Sequence, residues 1–228
     1  MHPQYFQSCL GIPVPQSIKN LVNTPPMCLP SRGDEETTEI LHSLGSNFNS
    51  KNDEVTQACN LAAGSSDIVI ILERPLHARK HGFNVSFEQF VRGSRTLSAV
   101  DELIRFATQG ARSIYNVTVL NAFSYQPDKS TTERDQECHE ALACILQRKK
   151  PKVILRCHRE QYRDEWLRCI ELPGEEYRLD RKEINITEEY ITIVLQSFHP
   201  SCAINNADYR PEYRALLIYH FVAACITR

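Results

Sequence analysis

The stretch 67-DIVIILERP-75 decides how the rest of the chain is read. Ile68, Val69, Ile70, Ile71 and Leu72 stand in an unbroken apolar row, closed on one side by an acid and on the other by Glu73-Arg74-Pro75. A strand with one face in water alternates apolar and polar residues. A short, β-branched row apolar at every position predicts a strand covered on both faces. The same pattern recurs in 116-NVTVLNA-122, 152-KVILRCH-158 and 191-ITIVLQS-197. Helical spacing separates these runs. Residues 97–107 carry apolar side chains at 97, 100, 103, 104, 106 and 107, with Ser98 and Asp101 near the start. Residues 131–148 follow Ser130 and Thr131 as capping residues, 161–170 form a short helical pattern, and 211–226 open with proline at a first-turn position. Strand and helix in alternation predict an α/β fold. It is a three-layer α/β/α sandwich around a four-stranded parallel sheet.

Residues 1–55 read differently. The segments GIPVPQ, NTPPMCLP and GSNFNSKND are punctuated by Pro, Gly, Ser and Asn, with short helical patterns around 17–22 and 36–44. This predicts an N-terminal tail or irregular layer, partly disordered, ahead of one α/β domain over 56–228. The chain has 228 residues, 42% hydrophobic and 24% charged, which is ordinary for a single globular domain. Its net charge of −2 splits into −3 for residues 1–55 and +1 for the remainder, so no global field draws it towards nucleic acid.

Nine cysteines, at 9, 28, 59, 138, 144, 157, 169, 202 and 225, form no C-x-x-C and no repeated spacing. That pattern predicts reduced thiols, no disulfide framework and no metal site. The start MHPQYFQSCLGIPVPQ has neither a basic region nor a sustained apolar run, and no segment approaches the ~20 apolar residues of a membrane span. The expectation is a nuclear or cytoplasmic protein that is not secreted, does not enter membranes and is a monomer.

In parallel α/β sheets, ligands bind at the carboxyl ends of the strands. Each apolar run here ends in chemically capable residues: Glu73-Arg74-Pro75, Asn121, His158 and His199-Pro200-Ser201. Each also has a purely structural reading. His199 can serve as a hydrogen-bonded turn histidine, Asn121 as a strand-end cap, and Glu73 as an ion-pair partner of Arg74 or a neighbouring arginine.

Taken in order, these strand ends resemble the motifs of the uracil-DNA glycosylase superfamily. The segment 72-LERPLH-77 is similar to the first motif, GQDPYH in the uracil-specific branch and GE-x-P-G in another. The segment 80-KHGFNVSF-87 resembles AHGLCFSV, 119-VLNAFS-124 resembles LLLNAVLT, and 194-VLQSFHPSCAI-204 resembles VLQTAHPSPLS. The resemblance runs from about Asp67 to the C-terminus and leaves residues 1–55 uncovered.

It implies a DNA partner, no cofactor, and hydrolysis of the N-glycosidic bond of a flipped damaged or deaminated base, as in base excision repair. By the same resemblance His199 stabilises the departing base anion. Asn121 reads the base with an amide that both donates and accepts. Glu73 supplies the catalytic carboxylate, His77 supports it, and Val85 falls at the base-stacking position, for which Phe83 or Phe87 can substitute. Pro200, Ser201, Ala203, Ser94, His158 and Arg159 fall at DNA-contact positions.

The chain departs from the pattern at several places, among them Leu76 for the tyrosine that excludes thymine's methyl and His158-Arg159 for the backbone-binding Gly-Ser. Arg74 stands where the uracil-specific branch has its water-positioning aspartate. Val85 stands at the stacking phenylalanine, and Ala203 at the leucine wedge that fills the vacated stack. These departures keep two other readings open: a binding module for nucleic acid or protein that has lost turnover, and a hydrolase of small nucleosides.

Overall fold

The computed structural model describes residues 7–22, 34–74, 82–125, 132–158, 179–204 and 211–227. In chain order the elements are β1 (Ser8–Cys9), β2 (Ile12–Pro13), α1 (Gln16–Leu21), α2 (Asp34–Asn47), α3 (Asn52–Ala62), β3 (Ser65–Leu72), α4 (Phe87–Gly93) and α5 (Arg95–Ala107). Then come β4 (Val117–Asn121), α6 (Thr132–Lys149), β5 (Val153–Arg156), β6 (Asp180–Thr187), β7 (Tyr190–Gln196), α7 (Pro200–Ile204) and α8 (Pro211–Ile226).

The central sheet has the order β4-β3-β5-β7-β6. The first four strands are parallel, and β6 pairs antiparallel with β7. The sequence therefore reveals four of five strands. The fifth is missed because burial is what makes a strand legible. Residues 181–185 of β6 (Arg-Lys-Glu-Ile-Asn) are all exposed on the sheet edge, so no apolar pattern marks them. The helical pattern at 161–170 lies outside the described residues.

All eight residues of β3 are buried, and successive side chains enter opposite layers. Ile68, Ile70 and Leu72 pack with Leu97, Val100, Leu103 and Ile104 of α5 and with Leu216, Leu217 and Phe221 of α8. Val69 and Ile71 pack with Leu41 of α2, Ala62 of α3 and Ile145 of α6. Helices therefore cover both faces, as the unbroken apolar rows require. A capping box of Ser86 and Gln89 starts α4, and the Ser94 hydroxyl accepts from the Leu97 N–H at 3.2 Å to start α5.

The described part of residues 1–55 is built into this core. Val14, Ile18 and Val22 are buried in the α5/α8 layer, and Leu44 and Val55 close a smaller cluster with Tyr125 and Cys138. Helix α3 runs through position 55/56, where the composition changes. Among the described residues, no helix is long and apolar enough to cross a membrane.

Gly64 turns α3 into β3 with φ +149, and a Cβ placed there meets the backbone of Asn116 and Val117 at 2.8–2.9 Å. Neither backbone can yield without moving β4. Gly64→Ala is expected to cost about 1–3 kcal/mol in urea unfolding. A loss below about 0.5 kcal/mol would show that the turn relaxes freely.

Candidate functional site

Parallel pairing brings the carboxyl ends of β4, β3, β5 and β7 to one rim. The register sets Asn121 beside Leu72, Arg156 beside Ile71, and Gln196 beside Arg156. Hydrogen bonds continue past the ladders: Ala122 N–H donates to Leu72 O (2.8 Å), Phe123 to Glu73 (2.9 Å), Cys157 to Ile71 (2.7 Å) and Ser197 to Arg156 (2.8 Å). The rim is thus zipped to its edge. Strand β3 is followed in the chain by β4 on one side and then by β5 on the other. This is a topological switch point, where α/β sheets open a crevice. With neighbouring strands ~4.8 Å apart, the rim from β4 to β7 spans about 14 Å.

His199 sits just beyond β7. Its Nδ1 lies 2.6 Å from Ser201 Oγ and accepts from the Ser201 backbone N–H at 3.3 Å. A backbone N–H only donates, so Nδ1 is the acceptor of the neutral ring and Nε2 carries the proton. The Ser201 hydroxyl then donates to Nδ1. Burial pushes the His199 pKa down to about 4, which keeps the ring neutral at pH 7. The unfolded chain binds this proton near pH 6.5 and the folded chain only near 4. Stability from this group is therefore fully present above pH 6.5 and is lost as pH falls through 4. Urea midpoints between pH 4 and 7 are expected to fall more steeply in the native protein than in His199→Phe. Parallel profiles would remove His199 as the cause.

Asn121 closes β4 half-buried, and its carbonyl accepts from Ser124 Oγ at 3.3 Å. Among the described residues its side-chain amide makes no hydrogen bond, so both ends of the amide are available to a ligand. Glu73 is half-buried at the end of β3. Arg74 turns away from it: its guanidinium lies 4.1 Å from the centre of the Phe123 ring and 3.9 Å from Asp135 of α6. A cation–π contact and an acidic partner thus hold the arginine against α6. The reading of Glu73 as an ion-pair partner of Arg74 has no counterpart in this arrangement.

Other positions singled out from the sequence are placed differently. His158 is buried at the end of β5 and its Nε2 accepts from Arg156 Nε at 3.2 Å. Ser94 is buried and its hydroxyl caps α5. Ala203 is 0% exposed in the α5/α8 core, where the α7 turn packs it. It is closed to solvent in this arrangement. Pro200 is buried at the start of α7. The carbonyls of Phe83 and Val85 accept from Gln57 Nε2 of α3 at 3.0 and 2.9 Å, and the Phe83 ring lies 5.9 Å from Phe90. No hydrogen bond or ring contact among the described residues joins Phe83 or Val85 to Asn121 or His199. His77 and Arg159 lie outside the described residues.

Sequence reasoning missed Gln196. Its Nε2 donates to the carbonyls of Arg156 (3.1 Å), His158 (3.2 Å) and Ser197 (2.9 Å), and so pins β5 to β7 at the rim. A buried glutamine at the end of an apolar run was the available signal. Among the described residues, no group of three or more His, Cys, Asp or Glu is placed to hold a metal ion. Neither the protein-family models nor the curated proteins include a match to this chain.

Proposed function

We propose that the rim receives a nucleobase and that the protein is a DNA glycosylase of the uracil-DNA glycosylase type. It would act on a flipped damaged or deaminated base without a cofactor. The observation that carries this reading is His199, just beyond β7, with Nδ1 occupied by Ser201 and the proton left on Nε2, on the parallel rim that Asn121 also closes with an amide uncommitted among the described residues. Breaking an N-glycosidic bond leaves electrons on the base and positive charge on the sugar. A neutral N–H donor stabilises the base anion without first protonating it. The Asn121 amide can donate to one atom of a pairing edge and accept from its neighbour. The Glu73 carboxylate, not neutralised by Arg74, serves the sugar cation or the attacking water. Ser201 holds the imidazole through Nδ1.

A second reading, a base-binding protein without turnover, is favoured by the burial of Ala203 and by the attachment of Phe83 and Val85 to α3. With the Phe83 ring beside Phe90 and no wedge at position 203, opening a duplex costs a few kcal/mol that other groups must supply.

The deciding assay incubates the protein with single- and double-stranded oligonucleotides. These carry uracil, hypoxanthine, xanthine, 5-hydroxymethyluracil or a T·G mismatch, and abasic sites are then cleaved with alkali. Scission on at least one substrate is the expected result. Silence on all of them with oligonucleotide binding intact selects the binding module, and loss of both overturns the two readings together. Glu73→Gln is expected to slow base release about 100-fold or more at unchanged oligonucleotide affinity. Equal rates would remove Glu73 from the mechanism.

A further inference from the structure

Helix α8 is apolar along most of its length, yet it carries a histidine where it is most enclosed. His220 is 0% exposed, and an imidazole is costly to bury without partners. Its Nδ1 lies 2.9 Å from the hydroxyl of Ser197, the first residue after β7 and itself buried. The Ser197 N–H also donates to Arg156 O at 2.8 Å, which joins this corner to the end of β5. Cys157 N–H is bonded to Ile71 O at 2.7 Å, which carries the connection to β3. The Phe198 ring packs edge-on against His220 (6.0 Å, 70°) and Tyr213 (6.3 Å, 85°). His199 is the next residue.

We infer that His220 is a positioning residue for the rim. Through Ser197 it ties the C-terminal helix to the ends of β5 and β7, and it fixes the corner from which His199 presents its Nε2–H. Ordering a free backbone residue costs about 1–2 kcal/mol, so a donor on an untethered corner would be ordered only when a ligand binds. The tether meets that cost on folding, which is what preorganised stabilisation of a developing charge requires. Among the described residues, basic groups at the corner include Arg95, Arg214 and His158. Arg95 of α5 donates to Ile204 O at 3.5 Å, Arg214 of α8 donates to Ala203 O at 3.1 Å, and His158 closes β5. The cause of the depressed His199 pKa is burial, so the state of that ring reports how tightly the corner is closed. The inference rests on the proposed role of His199 for its chemical meaning, but its test needs no substrate.

The experiment follows the His199 imidazole by long-range proton–nitrogen correlation across pH in the full-length protein, in Ser197→Ala, and in His220→Phe, which keeps the ring volume. His220→Asn is included because its amide can reach Ser197 in place of Nδ1. In the native protein His199 is expected as the Nε2–H tautomer with a low midpoint. In Ser197→Ala and His220→Phe the midpoint rises by about one pH unit or more and the tautomers mix, while His220→Asn stays close to the native protein. A folded His220→Phe with the native midpoint and tautomer overturns the inference and leaves His220 a packing residue. If His220→Phe does not fold, Ser197→Ala decides alone by the same criterion. A native protein silent on every oligonucleotide, yet showing these His199 shifts, loses the glycosylase reading and retains the tether.

Discussion

His199→Ala is expected to slow base release by about 10²–10³-fold while oligonucleotide affinity changes little. The size follows from what is removed. A donor aimed at a developing anion in a site shielded from water contributes mainly in the transition state, and its loss appears in kcat rather than in binding. His199 meets the conditions for such a donor: Ser201 holds Nδ1, burial keeps the ring neutral, and the remaining proton is on Nε2. The check is single-turnover release from the best substrate of the oligonucleotide panel, with affinity measured in parallel by fluorescence anisotropy. A rate within about threefold of the native protein would remove His199 from the chemistry. A large fall in affinity with an unchanged rate would make it a binding group only.

The largest expected loss of stability lies at the other end of the sheet. Arg112 Nη2 contacts Asp67 Oδ2 at 2.6 Å with both side chains buried, and Asp67 is also bonded by the Ser65 hydroxyl. The loop between α5 and β4 is held there by the Arg112 N–H donating to Thr108 Oγ1 at 3.0 Å. Asp67→Ala leaves a guanidinium buried without its carboxylate, and such a change costs about 3–5 kcal/mol. That is a large share of the ~5–15 kcal/mol that holds a typical domain together. The contrast is the exposed Arg92–Glu88 pair on α4, where Glu88→Ala is expected to cost under about 1 kcal/mol. Guanidinium unfolding of the two variants side by side tests the difference. Equal losses would mean that water reaches Arg112 and that the pair is not sealed.

Neither Asp67 nor Arg112 is conspicuous in the sequence. Asp67 reads as the charged start of a strand, and only folding shows it facing an arginine 45 residues away. Gln196 and His220 are similar cases. Each is a polar residue inside an apolar run, and its partners come from strands and helices distant in the chain. Arg74 is the clearest instance at the rim. By sequence it adjoins Glu73, but backbone direction after β3 and the Phe123 ring send its charge towards α6.

The sequence by itself determined the parts of the fold that burial writes into composition. Four strands apolar on both faces, and helices whose apolar stripes cover them, are legible because each residue's type reports its own solvent exposure. The rim follows from the same patterns, since polar residues mark where each buried run ends. What only the tertiary structure decided is everything that depends on a partner. It added β6, whose exposed edge carries no apolar signal, and built the described part of residues 1–55 into the core. It also enclosed Ala203 and Ser94 where the linear motifs had placed DNA contacts. Residue type predicts burial one position at a time. The direction of a side chain, and the group it meets, belong to pairs that the chain brings together only when it folds.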